Sequence, residues 1–250
     1  MRFVSLSDCG RRRQDNEDAL LTSEESGFAV LCDGMGGRNF GEVAAQLAVE
    51  QFALAVRDGM PRHMERLERD EQASAMVNLL DEWVRGVNQR VHSFARDNDQ
   101  YREMGTTLVC LVQMSHQVLV AHVGDSRAYR LRDGQLEQMT EDHSVVAARV
   151  KDQSMTAAEA RQSSERNIIT QAIGTGEFVR PDVKVYASTA GDRWLLCSDG
   201  LHDMLQPEEL ASLMAAGGPL QELAVKLVAA ANAAGGRDNI SVVLGEVGAA

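Results

Sequence analysis

Val30-Leu31-Cys32-Asp33-Gly34-Met35-Gly36-Gly37 is an apolar run that ends in one aspartate, with three glycines in the next four residues. It reads as a buried strand that stops at Asp-Gly and delivers a carboxylate to the rim of a sheet. Glycine there permits positive φ and close backbone approach to whatever the carboxylate holds. A metal ion is the best-matched guest.

The pattern returns twice towards the C-terminus. Trp194-Leu195-Leu196-Cys197-Ser198 runs into Asp199-Gly200, and Gly235-Gly236-Arg237-Asp238-Asn239 precedes the apolar run Ile240–Leu244. One Asp-Gly after a strand is most often only a turn. Three aspartates at strand edges carry more weight, because clustered carboxylates repel unless cations neutralise them. Hard divalent ions such as Mg²⁺ and Mn²⁺ take such oxygen ligands.

The chain has 250 residues, 44% hydrophobic and 25% charged, with 4 prolines, which is ample for a sizeable core. One domain, with a small insertion, fits best. Its 25 basic and 37 acidic residues give a net charge of −12, which repels a nucleic-acid backbone. Cys9, Cys32, Cys110 and Cys197 are far apart and lack zinc spacing, so they read as reduced thiols, mostly buried. There is no apolar signal core and no run long enough to span a membrane, so the cytoplasm is the expected compartment and no membrane partner is expected.

Phe3–Leu6 is a short strand candidate that leads into a polar stretch, Ser7 to Asp18, basic first and acidic after. Arg13 lies a few residues before Glu17 and Asp18. A cation beside a carboxylate pair suits a site that holds a phosphate dianion over metals, and an arginine fork takes two phosphate oxygens at once. Ala44, Leu47, Ala48, Phe52, Ala55 and Val56 recur at helical spacing, as do Met76, Leu79, Leu80, Trp83, Val87, Val91 and Phe94, predicting two amphipathic helices. The mixed charge run Arg62–Glu71 between them reads as a connector.

Thr106–Val112, Val118–Val123 and Ala128–Leu131 are β-rich, and Asp133-Gly134 is a two-residue hairpin signal leading to Gln135–Met139. An antiparallel meander is expected, and its continuously apolar first strands imply a sheet covered on both faces in a layered sandwich. Glu141–Gly176 is poorer in large apolar residues, with a cap at Asp142-His143-Ser144 and a capping box, Thr156-Ala157-Ala158-Glu159. It reads as a surface lobe of the kind that sets substrate choice. Val183–Tyr186 and Trp194–Cys197 return to strand, Pro207–Met214 and Pro219–Ala234 to helix, and the last strand is Ile240–Val247.

These motifs, in this order, resemble the metal-dependent, type 2C serine/threonine protein phosphatases in their short bacterial form. The resemblance rests on Gly10 through Arg13 to Asn16-Glu17-Asp18, Asp33-Gly34-Met35-Gly36-Gly37, Gly105-Thr106-Thr107 and Gly124-Asp125-Ser126-Arg127. It continues through Thr140-Glu141-Asp142-His143-Ser144, Ser198-Asp199-Gly200-Leu201 and Gly236-Arg237-Asp238-Asn239, so that it covers nearly the whole chain. It implies an α+β fold, a four-layer α-β-β-α sandwich with two central antiparallel sheets, as a single phosphatase domain over 1–250 with a flap-like lobe at about 142–176. It also implies two Mn²⁺ or Mg²⁺ ions at one edge, with a third, weaker one.

By this resemblance Asp33 bridges the two ions, the Gly34 carbonyl is a ligand, and Asp199 and Asp238 hold the first metal. Glu17 and Asp18 act near the second, partly through water, and Asp125 joins Asp199 around the third. Arg13 matches the phosphate-binding arginine, so Arg13 and Asp33 are the implied catalytic residues. The implied reaction is direct attack of a metal-bridging hydroxide on the phosphorus of a phosphoseryl or phosphothreonyl protein, reversing a partner kinase.

Two positions depart from the family pattern. Met35 stands where many eukaryotic relatives carry a histidine that can donate a proton, so metal-bound water has to serve. His202 stands where tryptophan is usual, and reads as a packing substitution. A catalytically silent phosphoprotein-binding module would be expected to have lost aspartates, and Asp33, Asp199 and Asp238 are all kept. Net acidity and the lack of a basic-aromatic track count against a two-metal nuclease.

Overall fold

Along the third strand the side chains alternate between two different cores. Phe28, Val30 and Cys32 face helices, whereas Ala29 and Leu31 face the opposite sheet. A strand covered on both faces has no room for polar alternation, which is why Phe28–Cys32 is continuously apolar. The computed structural model describes residues 1–36, 40–64, 69–114 and 116–248. Gly37 and the side chains of the charge run Arg62–Glu71 lie outside the described residues.

In chain order the elements are β1 (Arg2–Asp8), β2 (Asp18–Ser23), β3 (Phe28–Met35), α1 (Phe40–Met64), α2 (Arg69–Asp97), β4 (Gly105–Thr106) and β5 (Leu108–Met114). There follow β6 (Gln117–Val123), β7 (Arg127–Arg132), β8 (Gln135–Gln138), α3 (Val145–Lys151), α4 (Ala157–Gln162), β9 (Asp182–Ala187) and β10 (Arg193–Cys197). The chain closes with α5 (Asp199–His202), α6 (Pro207–Ala215), α7 (Leu220–Ala233) and β11 (Ile240–Glu246). One sheet has the order β1-β11-β10-β7-β8, and the other β2-β3-β5-β6-β9 with β4 paired to β3. The named strand pairings are antiparallel.

Three apolar layers hold the sandwich. Phe52, Val56, Leu80, Val84 and Val87 of α1 and α2 pack on one sheet, where the Phe28 and Phe52 rings meet edge to face at 5.9 Å. Leu223, Leu227 and Ala231 of α7 pack on Leu195, Val242 and Leu244 of the other sheet. Leu31, Val109, Leu111, Trp194, Leu196 and Val243 fill the space between the sheets. The α-β-β-α sandwich expected from the sequence is the observed architecture.

Three expectations need correction. The β-rich runs from Thr106 to Met139 do not form one meander, because β5 and β6 lie in one sheet and β7 and β8 in the other. The chain crosses between sheets at Gly124-Asp125-Ser126, and Gly124 has φ +106°, which only glycine adopts readily. Second, β3 does not stop at Asp33; Gly34 and Met35 stay in strand by pairing with Thr106 and Gly105 of β4. Third, the polar stretch ending at Asp18 runs straight into β2, whose apolar residues Ala19, Leu20 and Leu21 are too few for a sequence period to mark the strand.

The lobe from Asp142 to Gly176 carries α3 and α4. Ser144 caps α3 by accepting the Ala147 N–H at 3.2 Å, and Thr156 and Glu159 form the expected capping box on α4. Val146 is the one buried residue of α3, and α4 has none. Isolated bridges pair Ser144 with Ile169 within the lobe and Thr106 with Ile173 on the body.

Candidate metal centre

The parity of β3 aims Asp33 into the gap between the sheets, since Ala29 and Leu31 already point there. Asp18 is its direct cross-strand partner on β2. Asp199 follows β10 at the start of α5, Asp238 lies two residues before β11, and Asp125 lies at the crossing between β6 and β7. The sandwich thus brings residues more than two hundred positions apart to one rim of the inter-sheet gap.

The backbone around these carboxylates is tied down by small polar side chains. Thr107 Oγ1 accepts the Asp33 N–H at 3.0 Å, and the Thr107 N–H and the Thr106 hydroxyl each donate to the Asp33 carbonyl at 2.8 Å. Thr107 Oγ1 is 2.7 Å from Ser126 Oγ, linking the Asp33 strand to the residue after Asp125. The Ser198 hydroxyl donates to Asp18 Oδ2 at 3.0 Å and accepts the Ser241 N–H at 3.0 Å. Gly34 is needed for close approach, because a Cβ there would lie 2.2 Å from the Gly41 carbonyl oxygen and 2.5 Å from that of Glu17.

Asn239 organises the loop that carries Arg13. Its Oδ1 accepts the Glu17 N–H at 2.8 Å, and its Nδ2 donates to the carbonyls of Asp15 at 2.9 Å and Cys9 at 3.1 Å. The sequence signal for it is weak: a buried asparagine between a charged loop and a strand. Arg13 itself donates from Nη2 to Asp238 Oδ2 at 2.7 Å, while Asp238 Oδ1 accepts the Asn239 N–H at 2.9 Å.

Electrostatics separates these groups from ordinary surface acids. Burial pushes the Asp33 carboxyl well above its usual range, and the charges of Asp18, Asp199, Asp125 and Asp238 push it further. Burial raises Asp199 well above its usual range too, helped by Asp125, Asp238 and Asp203. Asp18 rises to about 6 through burial, although hydroxyls of Ser241 and Ser198 oppose the rise. Burial raises Asp125, countered by nearby His202, and also Glu17, countered by the Gly41 backbone and Arg13.

Among the described residues, two buried oxygens, Glu17 Oε1 and Asp18 Oδ1, have no hydrogen-bond partner. Buried acceptors are rarely left without one. A set of carboxylate oxygens that repel each other, two of them orphaned, fits hard divalent cations. The chemistry of the donors therefore matches Mn²⁺ or Mg²⁺.

Among the described residues, one group of three candidate metal-ligating atoms lies within 4.8 Å of one another: His122, His143 and Asp182. It belongs to the root of the lobe. The His122 and His143 rings stack at 4.6 Å, His122 Nε2 donates to the Glu141 carbonyl at 2.8 Å, and His143 Nδ1 accepts the Gly124 N–H at 3.2 Å. That last bond leaves the proton of a neutral His143 on Nε2, the nitrogen 3.9 Å from Asp182 Oδ2.

Two stacked antiparallel sheets between helix pairs, with an acidic rim and an arginine beside it, define a phosphate-processing enzyme of the metal-dependent phosphatase class. The model of one family, protein phosphatase 2C, matches residues 7–241, and the chain belongs to that family. It is 34% identical to the protein phosphatase PhpP of Streptococcus pneumoniae over 98% of this chain and 96% of that protein. It is similar to the crystal structure of the serine/threonine phosphatase PstP/Ppp of Mycobacterium tuberculosis, with TM-score 0.87, 32% identity and 99% of each chain covered. The PstP catalytic domain in complex with two manganese ions aligns with TM-score 0.85 and 33% identity, over 99% of this chain and 98% of that one.

Proposed function

We propose that this chain hydrolyses phosphoserine and phosphothreonine in proteins, with Arg13 binding the phosphate and with Asp33, the Gly34 carbonyl, Asp199, Asp238, Asp125, Glu17 and Asp18 holding two Mn²⁺ or Mg²⁺ ions and a third, weaker one. The observation that carries this reading is the convergence of Asp18, Asp33, Asp125 and Asp199 at one rim of the sandwich, where burial raises each carboxyl. Bound there, divalent ions neutralise the phosphate's charge and acidify water, so that attack on phosphorus needs no phosphoenzyme.

The chain's own groups do the rest. Arg13 presents a planar fork beside Asp238 and takes the nonbridging oxygens of the phosphate. Asn239 and Asn16 hold the loop on either side, Asn16 by donating to Ser7 Oγ at 2.7 Å and accepting the Asp18 N–H at 3.1 Å. Thr106 and Thr107 fix the backbone of Asp33 so that its carboxylate is oriented before substrate arrives. Met35 has no proton to give, so the departing seryl or threonyl oxygen takes its proton from water in the cleft.

We read residues 1–250 as one phosphatase domain, with the lobe at 142–176 as its substrate-facing flap. Arg161 of the lobe donates to Gln206 Oε1 at 3.0 Å, and Arg166 reaches Asp203 at 3.3 Å, so the lobe leans on the acidic rim. Phosphorylated proteins, with a cognate Ser/Thr kinase or its substrates foremost, are the proposed partners. Four free cysteines, three of them buried, suit the cytoplasm, and among the described residues no helix is long and apolar enough to cross a membrane.

The test is phosphate release from a phosphothreonine peptide with Mn²⁺, with chelator, and for Asp33→Asn alongside. Release that needs the metal and disappears in the variant is the expected result. Failure of the wild type to turn over with Mn²⁺ bound would overturn the assignment.

A further inference from the structure

Arg13 is one of four arginines carried by two neighbouring loops at the acidic rim. Arg11 and Arg12 precede it in the chain, and Arg237 precedes its partner Asp238. The two loops are joined through backbone, the Arg11 N–H donating to the Gly236 carbonyl at 2.7 Å. A Cβ on Gly236 would lie 3.1 Å from Arg11 Cγ, so the stem of Arg11 lies over the residue next to Arg237. Arg237 also borders a cavity of about 690 Å³ that Asp125 and Asp199 line.

Other cations around that cavity are matched by carboxylates: Arg127 by Asp142, Lys151 by Glu141 and Arg166 by Asp203. Arg11, Arg12 and Arg237 are exposed, and among the described residues none of the three side chains has an ion pair or a hydrogen bond. In a chain with 37 acidic and 25 basic residues, three neighbouring guanidiniums without a carboxylate reverse the local field. Clustered arginines recognise phosphate and acidic motifs, because each planar fork takes two oxygens at once. Arg11 and Arg12 stand two residues and one residue before Arg13, and an extended peptide advances about 3.3 Å per residue. An anion that they hold therefore belongs to a residue within about three positions of the one whose phosphate Arg13 takes.

We propose that Arg11, Arg12 and Arg237 form a second anion subsite, which selects protein segments with another phosphate or a carboxylate close in sequence to the phosphoresidue being hydrolysed. The inference rests on the assignment of Arg13 to the substrate phosphate and deepens it by naming the class of substrate. The net charge of −12 repels such a segment, so a preference for it has to arise from this local patch.

The test measures kcat/KM with Mn²⁺ for three phosphothreonine peptides that differ only two residues before and two residues after the phosphothreonine. Those positions carry alanine, glutamate or a non-hydrolysable phosphonate analogue of phosphoserine. The wild type is expected to prefer the phosphonate peptide over the alanine peptide about tenfold and the glutamate peptide about threefold, and Arg11→Gln, Arg12→Gln and Arg237→Gln combined should bring both ratios to about one. Arg12→Gln and Arg237→Gln singly should each lower the larger ratio about twofold, which keeps the test decisive if the triple variant folds poorly. Ratios near one in a wild type that turns over the alanine peptide, or ratios that survive in the folded triple variant, overturn the proposal and leave the phosphatase reading standing. So does loss of the preference in Arg90→Gln on α2, which would assign it to net charge. A wild type that hydrolyses none of the three peptides overturns both.

Discussion

Asp18 and Asp33 stand directly opposite one another across β2 and β3. Facing side chains of an antiparallel pair have Cβ atoms about 5 Å apart, where like charges destabilise the sheet. Burial raises both carboxyls above their usual range, and the charge of Asp18 pushes Asp33 further. The pairing register itself therefore builds an energetic demand for cations into the fold.

Asp33→Asn removes one of the two charges and keeps the shape of the side chain. In chelator its melting temperature should exceed that of the wild type by about 2–8 °C, as expected for relief of one to two kcal/mol in a chain of this size. The rise that Mn²⁺ gives the wild type should be largely lost in the variant. Scanning calorimetry with and without the ion checks both. Equal stability of the two proteins in chelator would refute the argument from repulsion.

Arg13 shares Asp238 with the proposed metal centre, through a contact of 2.7 Å. Arg13→Ala should raise KM for a phosphopeptide and lower kcat/KM by about 10–100-fold, the loss of one or two charge-assisted hydrogen bonds. Removing the cation also leaves Asp238 more negative, so Mn²⁺ should bind about threefold more tightly by calorimetry. Unchanged kcat/KM would remove Arg13 from the phosphate site.

Gly34 tolerates no side chain, because the backbone oxygens of Gly41 and Glu17 already occupy the space a Cβ would need. Gly34→Ala should cost about 3 kcal/mol in urea unfolding, since backbone cannot rotate away as a side chain can. Mn²⁺ affinity should fall with it. A variant of wild-type stability and affinity would show that the two strands can separate freely.

Asn239 makes three side-chain hydrogen bonds to the backbone of Cys9, Asp15 and Glu17. Asn239→Ala should lower stability by about 1–3 kcal/mol, because these partly buried backbone groups lose their bonds. KM should rise as well, through loss of the loop that presents Arg13. Asn239→Asp should keep the bond from the Glu17 N–H and lose the two donated by the amide, which chemical denaturation can resolve.

Burial pushes His122 and His143 below the usual imidazole range. Folding then favours their neutral forms, so the unfolded chain binds more protons as pH falls through the ordinary value, about 6.5. This share of stability is full above that pH and is lost on acidification towards the depressed folded-state values. His122→Gln keeps a donor for the Glu141 carbonyl, and its melting temperature should fall less than that of wild type between pH 7 and pH 5. Parallel slopes would show that His122 does not contribute.

Much of the architecture and most of the acidic rim were legible without coordinates. Strands covered on both faces declare themselves as unbroken apolar runs, so β3, β5, β6, β10 and β11 stand out, and long helices declare themselves by period. The aspartates show because each interrupts or adjoins such a run, and burial of charge is costly enough to leave that mark. The short β2 and the single turn of α5 did not show, since neither is long enough for a period to emerge.

Only the tertiary structure decided which sheet each hairpin joins, because the run from β5 to β8 reads locally as one meander until the inter-sheet core claims Leu111 for one side and Ala128 for the other. It alone placed Asp18 opposite Asp33, tied Arg13 to Asp238, and gave Asn239 its three backbone partners. Sequence determines which side chains must be buried and which carry charge, since those costs are local. Which buried group meets which depends on pairings across more than two hundred residues, and those are settled only when the two sheets close on one another.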